Sequence, residues 1–453
     1  METYLIRTFG CQMNKHDSER VAGLLTAQGM RPVSAAEDAD VVVFMTCCVR
    51  ENADERLRGQ ARSLKSTKAS RPGQLIAVGG CIGQRDGEKL LKQIPHLDVV
   101  FGTHNLERLP VLLETARHQR LPQVEVLSET AGFASDLPTE REHPWHAWVP
   151  ITIGCDNFCS YCIVPYVRGR EKSRPMAQIE SEVRRLVADG VKEVTLLGQN
   201  VNSYGRDLYG EARFAQVLRA VAETGVDRIR FATSHPKDLS SDTIAAMAEV
   251  PAVMPYLHLP IQSGSDRILA AMNRKYTQDD YLGLVSRARS AIENLAISTD
   301  IIVGFPGETE SDFEATLDVV REVGFDQAFT FIYSPREGTP AATLGHQVPR
   351  EVSQPRFDQL VEFVHRSAFE NNRRLVGSVQ PILFEGVSKR DENVLAGRTP
   401  TNKMVHVGVP EGREGREFAG RILDVEILEA QTWFLGGRLL GTEWERGAAA
   451  PPL

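Results

Sequence analysis

Seven cysteines occur among the 453 residues: Cys11, Cys47, Cys48, Cys81, Cys155, Cys159 and Cys162. The last three form the run Cys155-x3-Cys159-x2-Cys162. Three thiolates this close can cap three corners of a cubane [4Fe–4S] cluster and leave the fourth iron without a protein ligand. An open iron on a strongly reducing cluster can chelate the amino and carboxylate groups of S-adenosylmethionine (SAM). Electron transfer to the sulfonium would then cleave a carbon–sulfur bond and yield a 5′-deoxyadenosyl radical. The competing readings are a zinc site with a remote fourth ligand and plain buried thiols.

Cys11, Cys47 and Cys81 are spread over some seventy positions. Each falls just after an apolar run of strand character: Tyr4–Phe9, Asp40–Met45 and Leu75–Gly79. A parallel sheet gathers ligands at the carboxyl ends of its strands. The fold could therefore assemble these three thiols into a second site with an open corner. Cys48, next to Cys47, would point elsewhere and reads as structural. An odd number of cysteines also argues against a disulfide framework.

The elements that must position these residues follow from periodicity. Up to about residue 103, strand-like runs alternate with helix-like stretches, and a further strand is expected at Leu97–Phe101; this is a doubly wound α/β pattern. A polar stretch from Ser128 to His146, with Pro138 and Pro144, reads as a linker. Six further strand candidates follow: Trp148–Ile153, Glu193–Leu197, Arg228–Phe231, Pro255–Leu259, Ala296–Val303 and Gln327–Tyr333. Helical periodicity lies between them, which fits a partial (β/α)6 barrel whose chemistry sits on the loops after strands. After a helix at Gln354–Leu375, short alternating runs separated by glycine-rich turns predict a small antiparallel β module, barrel-like. The expected boundaries are 1–118 for the first domain, 119–140 for the linker, 141–374 for the barrel domain and 375–442 for the β module. The tail Ala448–Leu453 is expected to be unstructured.

The composition is 42% hydrophobic and 25% charged, as in ordinary globular proteins. No apolar run approaches the roughly 20 residues of a membrane span, and no leader precedes the strand-like Thr3–Arg7. A cytoplasmic protein is the expectation. The formal charge of −8 excludes a generally basic nucleic-acid binder, so any RNA contact must come from local patches.

Longer motifs surround the cysteines. Phe9-Gly10-Cys11-Gln12-Met13-Asn14 is followed by Asp17-Ser18-Glu19; Thr46-Cys47 by Arg50-Glu51; and Gly80 precedes Cys81. The run Gly154–Pro165 continues through Arg168-Gly169-Arg170-Glu171 to Ser173-Arg174. With Leu197–Gly205, this set resembles the radical SAM methylthiotransferases over nearly the whole chain, including a C-terminal TRAM-like module. It resembles in particular the MiaB type, the branch acting on isopentenyladenosine in tRNA. One departure is Met45, where the family usually has Asn; it leaves the thiolate in place and removes a polar neighbour.

The resemblance implies two [4Fe–4S] clusters and SAM. The Cys155/Cys159/Cys162 cluster would cleave SAM. The Cys11/Cys47/Cys81 cluster would carry or donate the sulfur. A methylthio group would enter carbon 2 of N6-isopentenyladenosine at tRNA position 37, beside the anticodon. An aromatic C–H bond is too weakly acidic for an acid–base pair, so the cofactor supplies the reactivity. Tyr161, Gly198, Gln199, Asn200, Ser263, Val303 and Gly304 are the expected SAM contacts. Arg168, Arg170 and Arg174, in a basic run with Lys172, and Arg398 and Lys403 in the β module are the expected RNA contacts. His104, His235 and His258 read as core or supporting histidines. The partner is the anticodon stem-loop of tRNA; no membrane is expected, the chain is expected to be a monomer, and the reductant and sulfur donor are unidentified. Two rival readings keep the chemistry but change the substrate, to threonylcarbamoyladenosine in tRNA or an aspartate of a ribosomal protein. A third is a non-catalytic zinc- or iron-binding RNA-binding protein.

Overall fold

Val41–Thr46 and Leu75–Gly80 are buried at every position, as strands of a parallel sheet are when helices cover both faces. The computed structural model describes residues 1–47, 51–129, 132, 133 and 137–441; Cys48, Arg50 and the tail Ala448–Leu453 lie outside them. The first sheet contains β1 (Thr3–Phe9), β2 (Arg31–Pro32), β3 (Val41–Thr46), β4 (Leu75–Gly80), β5 (Val99–Phe101) and β6 (Gln123–Glu125). Their order is β2-β1-β3-β4-β5-β6, parallel throughout. Alternate residues of β3 and β4 enter two cores. Val42, Phe44, Ile76 and Val78 pack with Leu57 and Ile82. Val41, Val43, Met45 and Ala77 pack with Val21 and Leu109 on the other face. Met45 is thus a core residue.

The 119–140 stretch is more than a linker. Residues Gln123–Glu125 complete this sheet as its edge strand, and Arg20 donates to the Leu137 carbonyl at 2.6 Å. A three-residue strand leaves too short an alternation to be read in sequence.

The second sheet system starts at β7 (His146–Pro150) and continues, after the short pair β8 (Thr152–Ile153) and β9 (Lys172–Ser173), with β10 (Glu193–Leu197), β11 (Arg228–Phe231), β12 (Tyr256–His258), β13 (Ala296–Val303) and β14 (Gln327–Ile332). These form β11-β10-β7 and β12-β13-β14, all parallel. A bridge between Ile229 and Val253 spans the seam between β11 and β12. The result is the expected partial (β/α)6 barrel around one large apolar core.

The last module is a closed barrel, ordered β15-β16-β17-β19-β18, from β15 (Val379–Ser388), β16 (Asp391–Arg398), β17 (Met404–Gly408), β18 (Ile422–Ala430) and β19 (Leu435–Leu439). It is not wholly antiparallel: β17 and β19 pair in parallel. Closing a five-strand ring, an odd number, forces at least one such pair.

This barrel docks at the amino ends of the (β/α) strands. From β11, Arg228 donates to the carbonyls of Arg398 and Pro381, and Arg230 to those of Thr399 and Pro400. Lys403 reaches Asp326, just before β14, at 2.7 Å.

Candidate active site

Cys11, Cys47 and Cys81 stand at one edge of the first sheet. In the strand register Phe9 pairs with Thr46, and Thr46 with Gly80. The cysteines follow these three positions by one or two residues, on adjacent strands. The Cys47 amide donates to the Phe9 carbonyl at 3.0 Å. Cys11 caps the helix Gln12–Ala27, and Cys81 opens the helix Cys81–Asp86, where exposed backbone N–H groups favour anionic sulfur. A side chain at Gly10 would fall 2.1 Å from Cys47 Cβ, so glycine is what allows these two turns to meet. The Cys11 thiol is lowered to about 6, first by its hydrogen bond with Cys47 and, against burial, by the charge of Arg168.

The second triplet lies on a loop stapled at its base. Thr152 pairs with Ser173 and Ile153 with Lys172. The Cys155 amide donates to the Gly169 carbonyl at 3.2 Å. Gly154 has φ +75°, and a Cβ there would sit 2.1 Å from the Arg170 carbonyl oxygen. Two side chains address the sulfurs: Arg274 Nη1 lies 3.5 Å from Cys159 Sγ and Asn157 Nδ2 3.5 Å from Cys155 Sγ. Burial pushes the Cys155 thiol up to about 11 and Cys162 up to about 12. A coordinated cation reverses that preference, because it binds the thiolate.

A multi-iron cluster is held by thiolates at separate corners, and each triplet offers three.

A short helix, Val164–Arg168, joins the two triplets. It begins two residues after Cys162. Its flank, Ile163 and Val167, packs in the same core as Cys81 and Ile82. At its end, Arg168 is 6% exposed and donates to Asn14 Oδ1 at 2.9 Å and Asp17 Oδ2 at 3.0 Å. Burial alone would lower its pKa, but Cys81, Asp17 and Cys11 hold it well above the ordinary guanidinium value.

Past the carboxyl ends of the barrel strands lie buried polar atoms with no protein partner: Thr152 Oγ1, Asn200 Oδ1, Asn202 Nδ2, Ser234 Oγ, Gln262 Oε1 and Tyr333 Oη. Buried donors and acceptors are costly unless satisfied. Their recurrence after β7, β10, β11, β12 and β14 fits a ligand rich in amino, carboxylate and hydroxyl groups, as SAM is.

The chain matches three family models: the radical SAM superfamily over residues 149–320, uncharacterized protein family UPF0004 over 3–102, and the TRAM domain over 373–440. It is 52% identical over 434 residues to a tRNA-2-methylthio-N(6)-dimethylallyladenosine synthase of Streptomyces viridosporus, covering 94% of this chain and 85% of the relative. A protein of the same name from Acidothermus cellulolyticus is 53% identical over 417 residues, covering 91% and 84%. The chain belongs to the tRNA-2-methylthio-N(6)-dimethylallyladenosine synthase family. Among solved structures, the radical SAM methyltransferase TsrM of Kitasatospora setae superposes with a TM-score of 0.54 at 13% identity, covering 76% of this chain and 75% of that one. At that identity the likeness concerns the fold. Proteins of this synthase family use SAM and [4Fe–4S] clusters.

The expected SAM contacts of this synthase family member are placed as follows. Gly198 lies against Thr152, whose Oγ1 a Cβ would meet at 2.2 Å. Gln199 is half-buried. Asn200 is buried and donates to Asp238 at 2.7 Å, with its Oδ1 left over. Tyr161 packs beside Ile268, Met272 and Phe305. Val303 ends β13, and the Gly304 amide donates to Glu308 at 3.1 Å. The Ser263 hydroxyl accepts from the Ser265 amide, while its neighbour Gln262, at φ +71°, holds the unpartnered oxygen. Asn202, Ser234, Gln262, Tyr333 and Arg274 were missed from sequence. For all but Arg274 the available signal was a position shortly after a barrel strand, where barrel chemistry sits; Arg274 follows the helix Asp266–Ala271 instead.

Three expected RNA contacts are engaged within the protein. Arg168 is buried between the domains, as described. Arg174 is 1% exposed and pairs with Glu182, which also takes Arg20 at 2.9 Å. Lys403 is spent on Asp326 and Asn372, and its loop neighbour Thr399 is fully buried against the barrel domain. Of the remaining two, Arg170 is exposed and pairs with Asp156, and Arg398 pairs with Glu385. His104 lines a cavity of about 160 Å³ with His16, Asp17 and Arg168; His235 and His258 make local bonds to Lys237 and Ser298.

Proposed function

We infer that this chain installs a methylthio group on carbon 2 of N6-isopentenyladenosine at position 37 of tRNA, in the cytoplasm. The observation that carries this reading is the helix Val164–Arg168, which ties one cysteine triplet to the other. When bound, SAM and the clusters supply the radical that removes hydrogen from carbon 2 and the sulfur that replaces it. The residues of the chain do the rest. Cys155, Cys159 and Cys162 would hold one cluster, with Arg274 donating to Cys159 and Asn157 to Cys155. Cys11, Cys47 and Cys81 hold the other, against the buried charge of Arg168. Asn200, Asn202, Ser234, Gln262 and Tyr333 orient the SAM polar groups, and the Val303–Gly304 turn lines the pocket.

The test is mass spectrometry of tRNA nucleosides from a strain lacking its own enzyme, with and without this chain. Appearance of 2-methylthio-N6-isopentenyladenosine is expected. Unchanged N6-isopentenyladenosine beside methylthiolated threonylcarbamoyladenosine, or a methylthiolated ribosomal aspartate, would move the chain to a rival substrate.

A further inference from the structure

Next to the cysteine loop, two large aromatic side chains face solvent. Phe158, between Cys155 and Cys159, is 40% exposed, and Tyr166, on the helix joining the triplets, is 53% exposed. Their rings meet edge to face, 6.4 Å apart at 82°. The Arg170 guanidinium stands 5.8 Å from the Phe158 centroid. Exposed aromatics of this size lose hydrophobic free energy unless something covers them.

The backbone enforces the exposure. Phe158 has φ +46° and its support, Asn273, φ +59°; a ring as bulky as phenylalanine's rarely sits on such a backbone. Asn273 Nδ2 donates to the Phe158 carbonyl at 2.9 Å, which pins the one unusual turn with the other. Arg170 is held by both carboxylate oxygens of Asp156, at 2.7 and 3.1 Å. That pair is neutral overall, so the patch suits the uncharged face of a base better than a phosphate. Nucleobases in loops are recognised by stacking on aromatic rings and on arginine planes.

We propose that Phe158, Tyr166 and Arg170 form a stacking platform for an unpaired nucleobase flanking the adenosine to be modified. This rests on the tRNA reading above. The platform is one residue from Cys159, so a stacked neighbour would fix where the target base falls relative to the cluster loop. Arg170 then acts as a plate of the stack and not as a phosphate anchor.

The test uses reconstituted holoenzyme and an anticodon stem-loop RNA carrying N6-isopentenyladenosine, with 2-aminopurine as the flanking base. Binding to the parent protein is expected to quench the fluorescence by stacking. Phe158→Leu and Tyr166→Ala should each weaken binding about tenfold or more, as loss of one base–aromatic stack does, and reduce the quench. Tyr166→Phe should retain both. Iron content equal to the parent protein checks that the loop is loaded; Tyr166→Ala, outside the cysteine run, serves if Phe158→Leu loses iron. Parent-like affinity and quench in both ring-removing variants would overturn the platform. Failure of the parent protein to bind this RNA would instead sink the tRNA reading itself.

Discussion

Arg168 of the barrel domain donates to Asp17 of the first domain at 3.0 Å, with both side chains 6% exposed. The pair lies beside Cys11 and Cys81, so the first cysteine site is completed by a residue from another domain. Breaking a buried pair costs about 3–5 kcal/mol, because one charge stays behind. Arg168→Met should therefore lower the thermal midpoint by several degrees and reduce iron retention at the first triplet. Iron counting in a chain whose Cys155, Cys159 and Cys162 are replaced by alanine isolates that site. Parent-like stability and iron in Arg168→Met would show that the pair is dispensable.

The two close glycine approaches separate the triplets experimentally. Gly154→Ala places a methyl group 2.1 Å from a backbone oxygen, and Gly10→Ala places one 2.1 Å from Cys47 Cβ. Each substitution should cost about half of the bound iron, and each a different half. Gly154→Ala should abolish SAM cleavage, whereas Gly10→Ala should leave cleavage and abolish methylthiolation. Equal iron loss from both sites in either variant would mean that the sites fold as one unit.

Glu171 gives a pH dependence with a definite sign. Burial, with Asp156, Asp238 and Asp207 nearby, pushes its pKa from 4.5 up to about 7, despite the hydrogen bond from Ser203. The folded protein then holds a proton that the unfolded chain has released, so stability falls as pH rises from about 4.5 through 7 and levels off above. Glu171→Gln should flatten part of that fall, raising the thermal midpoint at pH 8 more than at pH 5. Some slope should persist, because burial raises Glu19 to about 7 as well. An unchanged difference between the two pH values would contradict this assignment.

The cysteines were legible in sequence because their signals are local: a run of eight residues, and turns directly after apolar strands. The barrel strands were legible for the same reason. Charges were not. The acceptors of Arg168 lie 154 and 151 residues away in the chain, and nothing in its basic neighbourhood reveals them. Arg174 likewise sits in the run with exposed Arg170, yet its partner Glu182 faces inward with it. Gln262 was passed over for Ser263, since only the backbone turn at φ +71° decides which of two adjacent polar residues keeps an open atom.

A basic loop residue of a small β-barrel reads as an RNA contact, yet the Lys403 ammonium is engaged in docking. Its Nζ donates to Asp326 at 2.7 Å and Asn372 at 2.9 Å, beneath the barrel domain. Lys403→Met should loosen that docking, leaving Asp326 without its cation at a cost of roughly 3 kcal/mol. Amide exchange should accelerate in residues 379–439 and in the helix Arg350–Arg373, from which Asn372 reaches both Lys403 and the Gln431 carbonyl. The salt dependence of RNA binding separates the two roles. A lost phosphate contact reduces the slope of log affinity against log salt by roughly one, and a lost docking contact does not. An unchanged slope with faster exchange is expected, and a reduced slope with parent-like exchange would return Lys403 to the RNA surface.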